Sequence, residues 1–93
     1  MILEWTDLAA SDLIEILDYI AEDNPAAALA AVDRIEQTSL RLADFPLSGR
    51  EGSLQNTREL PIPSLPFVII YSIRETTVEI LRVLHGAQRW PPP

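Results

Sequence analysis

The sequence predicts an α+β fold in the order β-α-α-β-β-β, with an N-terminal helical hairpin packed on one face of a small, mainly antiparallel sheet. Three observations predict it. Apolar residues recur at helical spacing in two adjacent segments, one on each side of Asn24-Pro25. The last third, Thr57 to Pro91, holds three β-type runs joined by short turns. A brief apolar run, Ile2 to Trp5, has room for one short strand ahead of the helices. The 93 residues show no internal repeat and no dividing linker, which implies one domain over residues 1–93.

Each element follows from local chemistry. Thr6 and Asp7 suit a helix N-terminus, where side-chain oxygens accept from free backbone N–H groups. Ala9, Leu13, Ile16, Leu17 and Ile20 then form an apolar stripe, with Asp12, Glu15, Asp18 and Glu22 elsewhere on the cylinder, ending near Asp23. Asn24 is a good N-cap, and Pro25 fits the first helical position because its missing N–H would be unpaired there anyway. Ala26, Ala27, Ala28, Ala30 and Ala31 carry high helix propensity, and Leu29, Val32, Ile35, Leu42 and Ala43 make the second stripe. Asp44-Phe45-Pro46 ends it. The helices are nearly contiguous, so they should pair antiparallel.

Leu47 to Asn56 reads as the longest loop. Thr57 to Ile62 alternates, with Arg58, Leu60 and Ile62 on one side and Thr57 and Glu59 on the other. Pro61 and Pro63 lack a ladder donor and make that strand short, bulged or an edge. Phe67 to Ile73 is nearly continuous β-former and suits a central strand. Arg74-Glu75-Thr76 is a tight connection, so Thr77 to Leu84 should run antiparallel to it. Arg82 sits there among apolar residues. The terminal prolines can neither extend a helix nor pair centrally in a sheet.

Composition excludes several function classes. At 47% hydrophobic and 23% charged, the chain is of ordinary globular make-up. It has no cysteine and one histidine, so it offers no disulfide framework and little basis for a zinc site. No Walker-type phosphate loop is present, and no metal, nucleotide or organic cofactor is indicated. The absence of a membrane-length apolar run and of a signal-peptide pattern points to a cytoplasmic location. The net charge of −7 is unevenly spread. Residues 1–49 hold ten acids against two arginines, and residues 50–93 hold five arginines against four acids. There is no lysine, so nonspecific polyanion binding is disfavoured and any nucleic-acid contact is confined to the arginine-bearing end.

The residue pattern resembles the RelE/ParE toxin superfamily. The resemblance rests on Asn24-Pro25-Ala26-Ala27 between the helices and on Phe45-Pro46 through Gly49-Arg50. It continues through Thr57-Arg58-Glu59-Leu60, Pro66-Phe67 and Ile70-Tyr71. Its most specific part is Ile80-Leu81-Arg82-Val83-Leu84-His85-Gly86 through Trp90-Pro91. It implies the toxin of a type II toxin–antitoxin pair, neutralised by a cognate antitoxin whose own DNA-binding part represses the operon. In that superfamily RelE-like members cut mRNA in the ribosomal A site, whereas ParE-like members poison DNA gyrase.

The residues weigh between these activities. RNA cleavage needs an acid, a base and phosphorane-stabilising cations at one place. His85, Arg58 and Arg89 are the catalytic candidates on that reading. RelE nuclease surfaces are rich in lysine, which this chain lacks, so those roles do not transfer residue by residue. On the binding reading, Arg58, Arg82, His85, Arg89 and Trp90 meet the target or the antitoxin. Each residue also has a structural reading. His85 can be a strand-end histidine bonded to backbone, and Arg58 and Arg82 can pair with Glu59, Glu79 or other acids. Tyr71 reads as core, and Trp5 and Trp90 as packing on core or partner. The preferred expectation is a ParE-like gyrase inhibitor. The ribosome-dependent mRNA endonuclease is the alternative, and a degenerate toxin that keeps only antitoxin binding and operon control is a second one.

Overall fold

A computed structural model describes residues 1–86 and residue 90. Both helix starts are capped as their residue types dictate. The Thr6 hydroxyl accepts from Ala9 N at 3.0 Å to open α1, Asp7–Ala21. The Asn24 side chain accepts from Ala27 N at 3.0 Å to open α2, Pro25–Asp44, with Pro25 in the first turn. Only Glu22, Asp23 and Asn24 separate the helices, so they pack as an antiparallel hairpin.

Among the described residues five strands form one sheet: β1 (Ile2–Trp5), β2 (Arg50–Glu51), β3 (Arg58–Pro61), β4 (Phe67–Arg74) and β5 (Thr77–His85). Their spatial order is β1-β5-β4-β3-β2. β1 runs parallel to β5, and every other neighbouring pair is antiparallel. The two-residue β2 adds a strand within the segment that reads from sequence as loop. Pro61 pairs with Val68 at the end of β3, and Ile62 N bonds Phe67 O at 2.9 Å. By alternation the missing Pro61 donor then faces away from β4 and costs no ladder bond. β4 and β5 join through a tight turn in which Glu75 has φ 53°.

The core lies between the hairpin and one face of the sheet. Ala9 and Ile16 of α1, with Ile35 and Leu42 of α2, pack against Ile69, Tyr71, Val78, Ile80 and Val83. Trp5, Leu13, Ile20 and Leu60 lie half-buried against this cluster. α2 differs from its sequence reading in one respect. Its buried row is Ala28, Ala31, Ile35, Ser39 and Leu42, and Leu29 is exposed. Small residues in that row let the helix approach its neighbours closely.

A β-bulge shapes the site end of the sheet. Ile70 pairs with Arg82, but the next residue, Tyr71, pairs with Ile80, which leaves Leu81 as the extra residue. Ile80 and Val83, three positions apart, therefore both face the core. With strict alternation Arg82 would share the Ile80 face and enter the core. The bulge brings it instead to the side of α1, where Asp12 is waiting. Arg82 Nε and Nη2 donate to the Asp12 carboxylate at 2.7 and 3.0 Å. Val83 N also donates to it, at 3.0 Å. β1 ends opposite Ile80, so this third bond gives an acceptor to a β5 N–H beyond the reach of β1. From sequence Asp12 reads as part of the polar side of α1, yet it is only 7% exposed.

Truncating Asp12 leaves a half-buried guanidinium and a buried N–H without their acceptor. Asp12→Ala should lower stability by about 3 kcal/mol, the scale for breaking a buried pair from one side. Asp12→Asn should fall between it and wild type, because it keeps an acceptor but loses the charge. Urea denaturation of the three proteins measures the order, and an Asp12→Ala midpoint equal to wild type would refute it.

Candidate functional site

Two recesses flank the outer strands, on different parts of the molecule. The larger, of about 460 Å³, is lined by Leu47, Glu51, Leu54, Asn56, Arg58 and Ile73 among others. Its walls are held by one side chain from the central strand. The Tyr71 hydroxyl donates to Pro46 O at 2.7 Å and accepts from Gly49 N at 2.8 Å. Arg58 Nη1 donates to Gly49 O at 2.6 Å. The connection from α2 to β2 is thus pinned at both backbone groups of Gly49. Nothing larger than glycine fits there, since an added Cβ would stand 2.6 Å from the Tyr71 oxygen and 2.9 Å from Glu59 O. Burial pushes the Tyr71 hydroxyl above its ordinary pKa, with the bond from Gly49 and the charge of Arg58 opposing in part.

The smaller recess, of about 110 Å³, lies at the other side of β3 and β4. Val68, Ile70 and Leu84 line it, with Glu59, His85 and Trp90 around them. Arg50 and Glu59 form an ion pair at 3.2 Å over this part of the sheet. His85 ends β5 opposite Phe67, and their rings meet edge to face at a centroid separation of 5.8 Å. The Trp90 ring lies 6.0 Å from the Arg82 guanidinium carbon, at the outer range of a cation–π contact. Trp90 Nε1 is buried with no hydrogen-bond partner among the described residues.

The structure therefore brings some predicted site residues together and keeps others apart. Arg82 and Trp90 are in contact, and His85 and Trp90 line one recess. Arg58 lines the other recess. Arg89 lies outside the described residues. Of the acids open to Arg58 and Arg82 in the sequence, Glu59 and Glu79 go to other arginines, Arg82 takes another acid, and Arg58 bonds a carbonyl instead. Glu59 pairs with Arg50, Glu79 with Arg74 at 3.5 Å, and Arg82 with Asp12. The hydrogen bond to Asp12 is the largest influence on Arg82 and raises its pKa, so the guanidinium stays charged. Among the described residues no three side chains converge in a way that could hold a metal ion.

Sequence reasoning missed two residues. Asp12 falls three positions after Ala9 and four before Ile16, on the buried stripe of α1, and that spacing was the signal for it. Tyr71 reads correctly as core, but the reach of its hydroxyl to Pro46 and Gly49 has no local signature.

Comparison with known proteins gives one family. The model of the ParE toxin of the type II parDE toxin–antitoxin system matches residues 3–90. Y4kP, a proposed toxin of Sinorhizobium fredii, is 44% identical over 89 residues, covering 96% of this chain and 92% of the relative. Toxin RelE2 of Caulobacter vibrioides is 33% identical over 84 residues, covering 90% and 93% respectively. A solved structure of a chromosomal ParDE toxin–antitoxin system from P. aeruginosa superposes with a TM-score of 0.82 at 31% identity, covering 91% of this chain and 95% of that one.

Tyr71→Phe keeps the ring and removes the clamp. It should cost about 2 kcal/mol, since Pro46 O and Gly49 N lose a buried partner. The pH dependence gives a second readout. Because the folded-state pKa of Tyr71 is raised, its contribution is intact below the unfolded value of about 10 and is lost as pH rises through the folded value. With no lysine in the chain to titrate in this range, wild-type stability should fall above about pH 10 more steeply than that of Tyr71→Phe. Parallel alkaline slopes in thermal melts would refute this.

Proposed function

This chain belongs to the ParE toxin family of type II toxin–antitoxin systems, and on that premise we propose that it arrests growth by binding DNA gyrase rather than by cutting RNA. The supporting observation is the use already made of the sheet's arginines. Arg58 is engaged with Gly49 O in one recess, while His85 lines the other. Arg82 is bound bidentately by Asp12. An RNA-cleaving centre needs its acid, base and free cations around one phosphate. The acidic, lysine-free composition points the same way, because RNA affinity grows with the number of phosphates neutralised. On this reading operator contact belongs to the antitoxin alone, and the toxin meets its target in the cytoplasm.

Family membership implies an antitoxin partner. We place its contact at the C-terminal end of the sheet. There Trp90, whose buried indole N–H has no acceptor among the described residues, lies beside Arg82 and lines a recess with Val68, Ile70 and Leu84. Buried aromatic anchors carry much of the energy of such interfaces.

Purified toxin should inhibit gyrase supercoiling, and unaffected gyrase at excess toxin would overturn the gyrase assignment. After induced expression, transcripts should remain intact. Codon-phased 5′ ends would instead establish the RelE-like endonuclease. Deleting residues 89–93 should weaken antitoxin binding at least about tenfold, on the scale of one aromatic hot spot, as read by titration calorimetry. An unchanged affinity would move the antitoxin elsewhere.

A further inference from the structure

The outer face of the helical hairpin is a second surface, and the sheet-centred reading makes no use of it. Ile14, Leu29 and Leu40 are 59%, 66% and 54% exposed. Each stands two residues before a buried one: Ile14 before Ile16, Leu29 before Ala31, Leu40 before Leu42. Two residues correspond to about 200° around a helix, so all three point away from the core. Both helices cover the same sheet face, so these side chains share one outer surface. Leu29 and Leu40 are eleven residues apart, a spacing that keeps them in one stripe with Glu36 between them.

The charge around this surface is mainly acidic, with Arg41 of α2 an exposed exception. Asp18, Asp33 and Glu36 are exposed beside the apolar residues. Among the described residues Asp12 is the only acid of either helix that forms an ion pair, and it does so on the sheet side. Arg34, a cation of α2, donates to Pro63 O at 3.4 Å, which draws it toward the sheet's loops and away from the outer face.

We propose that this face docks a basic amphipathic helix of a partner protein. Charge complementarity selects that occupant. A second copy of the chain would set acid against acid, and nucleic acid or an anionic bilayer would meet the same repulsion. A helix with an apolar stripe and flanking lysines or arginines fits the elongated surface along the hairpin, covering Ile14, Leu29 and Leu40 while its cations meet Asp18, Asp33 and Glu36. This surface is independent of the gyrase assignment, and neither test bears on the other.

The test uses three model peptides of about five turns: a Leu/Lys amphipathic helix, its Leu/Glu counterpart, and a scrambled Leu/Lys sequence of equal charge. Binding to isotope-labelled toxin is followed by amide shifts. The Leu/Lys helix should bind, with shifts confined to residues 7–44, and should weaken at least about tenfold when salt rises from about 0.05 M to about 0.5 M. The Leu/Glu helix should not bind. Asp33→Lys with Glu36→Lys should weaken binding at least about tenfold, as should Leu29→Ser with Leu40→Ser. These positions are exposed, and unchanged melting of the variants verifies their folding. Equal binding by the scrambled or the Leu/Glu peptide would overturn the proposal, as would shifts centred on the sheet.

Discussion

The molecule depends on the docking of one carboxylate. Asp12 takes three hydrogen bonds from β5: two from the Arg82 guanidinium and one from the Val83 amide. These bonds join the first helix to the last strand across about seventy residues of sequence. They also solve two problems that the chain creates for itself. β1 ends at Trp5, opposite Ile80, which would leave a β5 amide unpaired near the core. Arg82 lies among apolar residues, two positions after a fully buried isoleucine. The bulge at Leu81 reverses the parity of the strand, so Val83 takes the core position and Arg82 reaches α1. Bulge and carboxylate require each other. Without the bulge the arginine enters the core, and without Asp12 the bulge strands both an arginine and an amide.

A second constraint works from the bulge toward the β2 edge of the sheet. Tyr71 is fully buried on the central strand, and its hydroxyl and Arg58 together occupy the backbone groups around Gly49. The clamp fixes where α2 hands over to β2 and therefore where the larger recess stands. It also engages Arg58. Two of the arginines that make the C-terminal half look like a nucleic-acid surface are thus tied to the protein itself. A cation bound to a carboxylate or a carbonyl has less to offer a phosphate than a free one, because a competing ligand must first replace the existing bond. This division of labour links the architecture to the proposed protein-binding role.

Much of this was legible in the sequence, and the rest was hidden for identifiable reasons. Caps at Thr6 and Asn24, the proline at the first turn of α2, the tight turn at Glu75 and the β-branched run of β4 act through their nearest neighbours. Local chemistry is enough to place them. The two-residue β2 was missed because Arg50–Glu51 is too short to show a period. Hydrophobicity alone puts Leu29 on the buried stripe of α2, whereas close packing of the helix favours the small Ala28 and Ala31. The sequence leaves the acid that pairs with Arg82 open, because the pairing crosses from β5 to α1, although Asp12 stands on the buried stripe of α1. The family was legible from the order and spacing of many weak motifs. The target was not, because target choice rests on which side chains remain free in three dimensions, and that is a property of long-range pairing.

The charge asymmetry gains meaning from the same accounting. Ten acids lie in residues 1–49, and the fold uses one of them as an internal ion-pair partner among the described residues. Of the remaining hairpin acids Glu15 acts on Arg82 through its charge, none forms an ion pair among the described residues, and as near neighbours they repel one another. Uncompensated charge of one sign acts mainly on encounter and on the exclusion of wrong partners, and little on the choice of fold. The sheet end is different, because Arg50 and Arg82 are paired there and the recess mixes the apolar Val68, Ile70 and Leu84 with Arg50, Ser53, Glu59 and His85. The two proposed surfaces thus differ in their physics, the hairpin face mainly acidic and the sheet recess mixed in polarity. On the proposed reading, two such faces would let a small toxin meet its partners through separate surfaces.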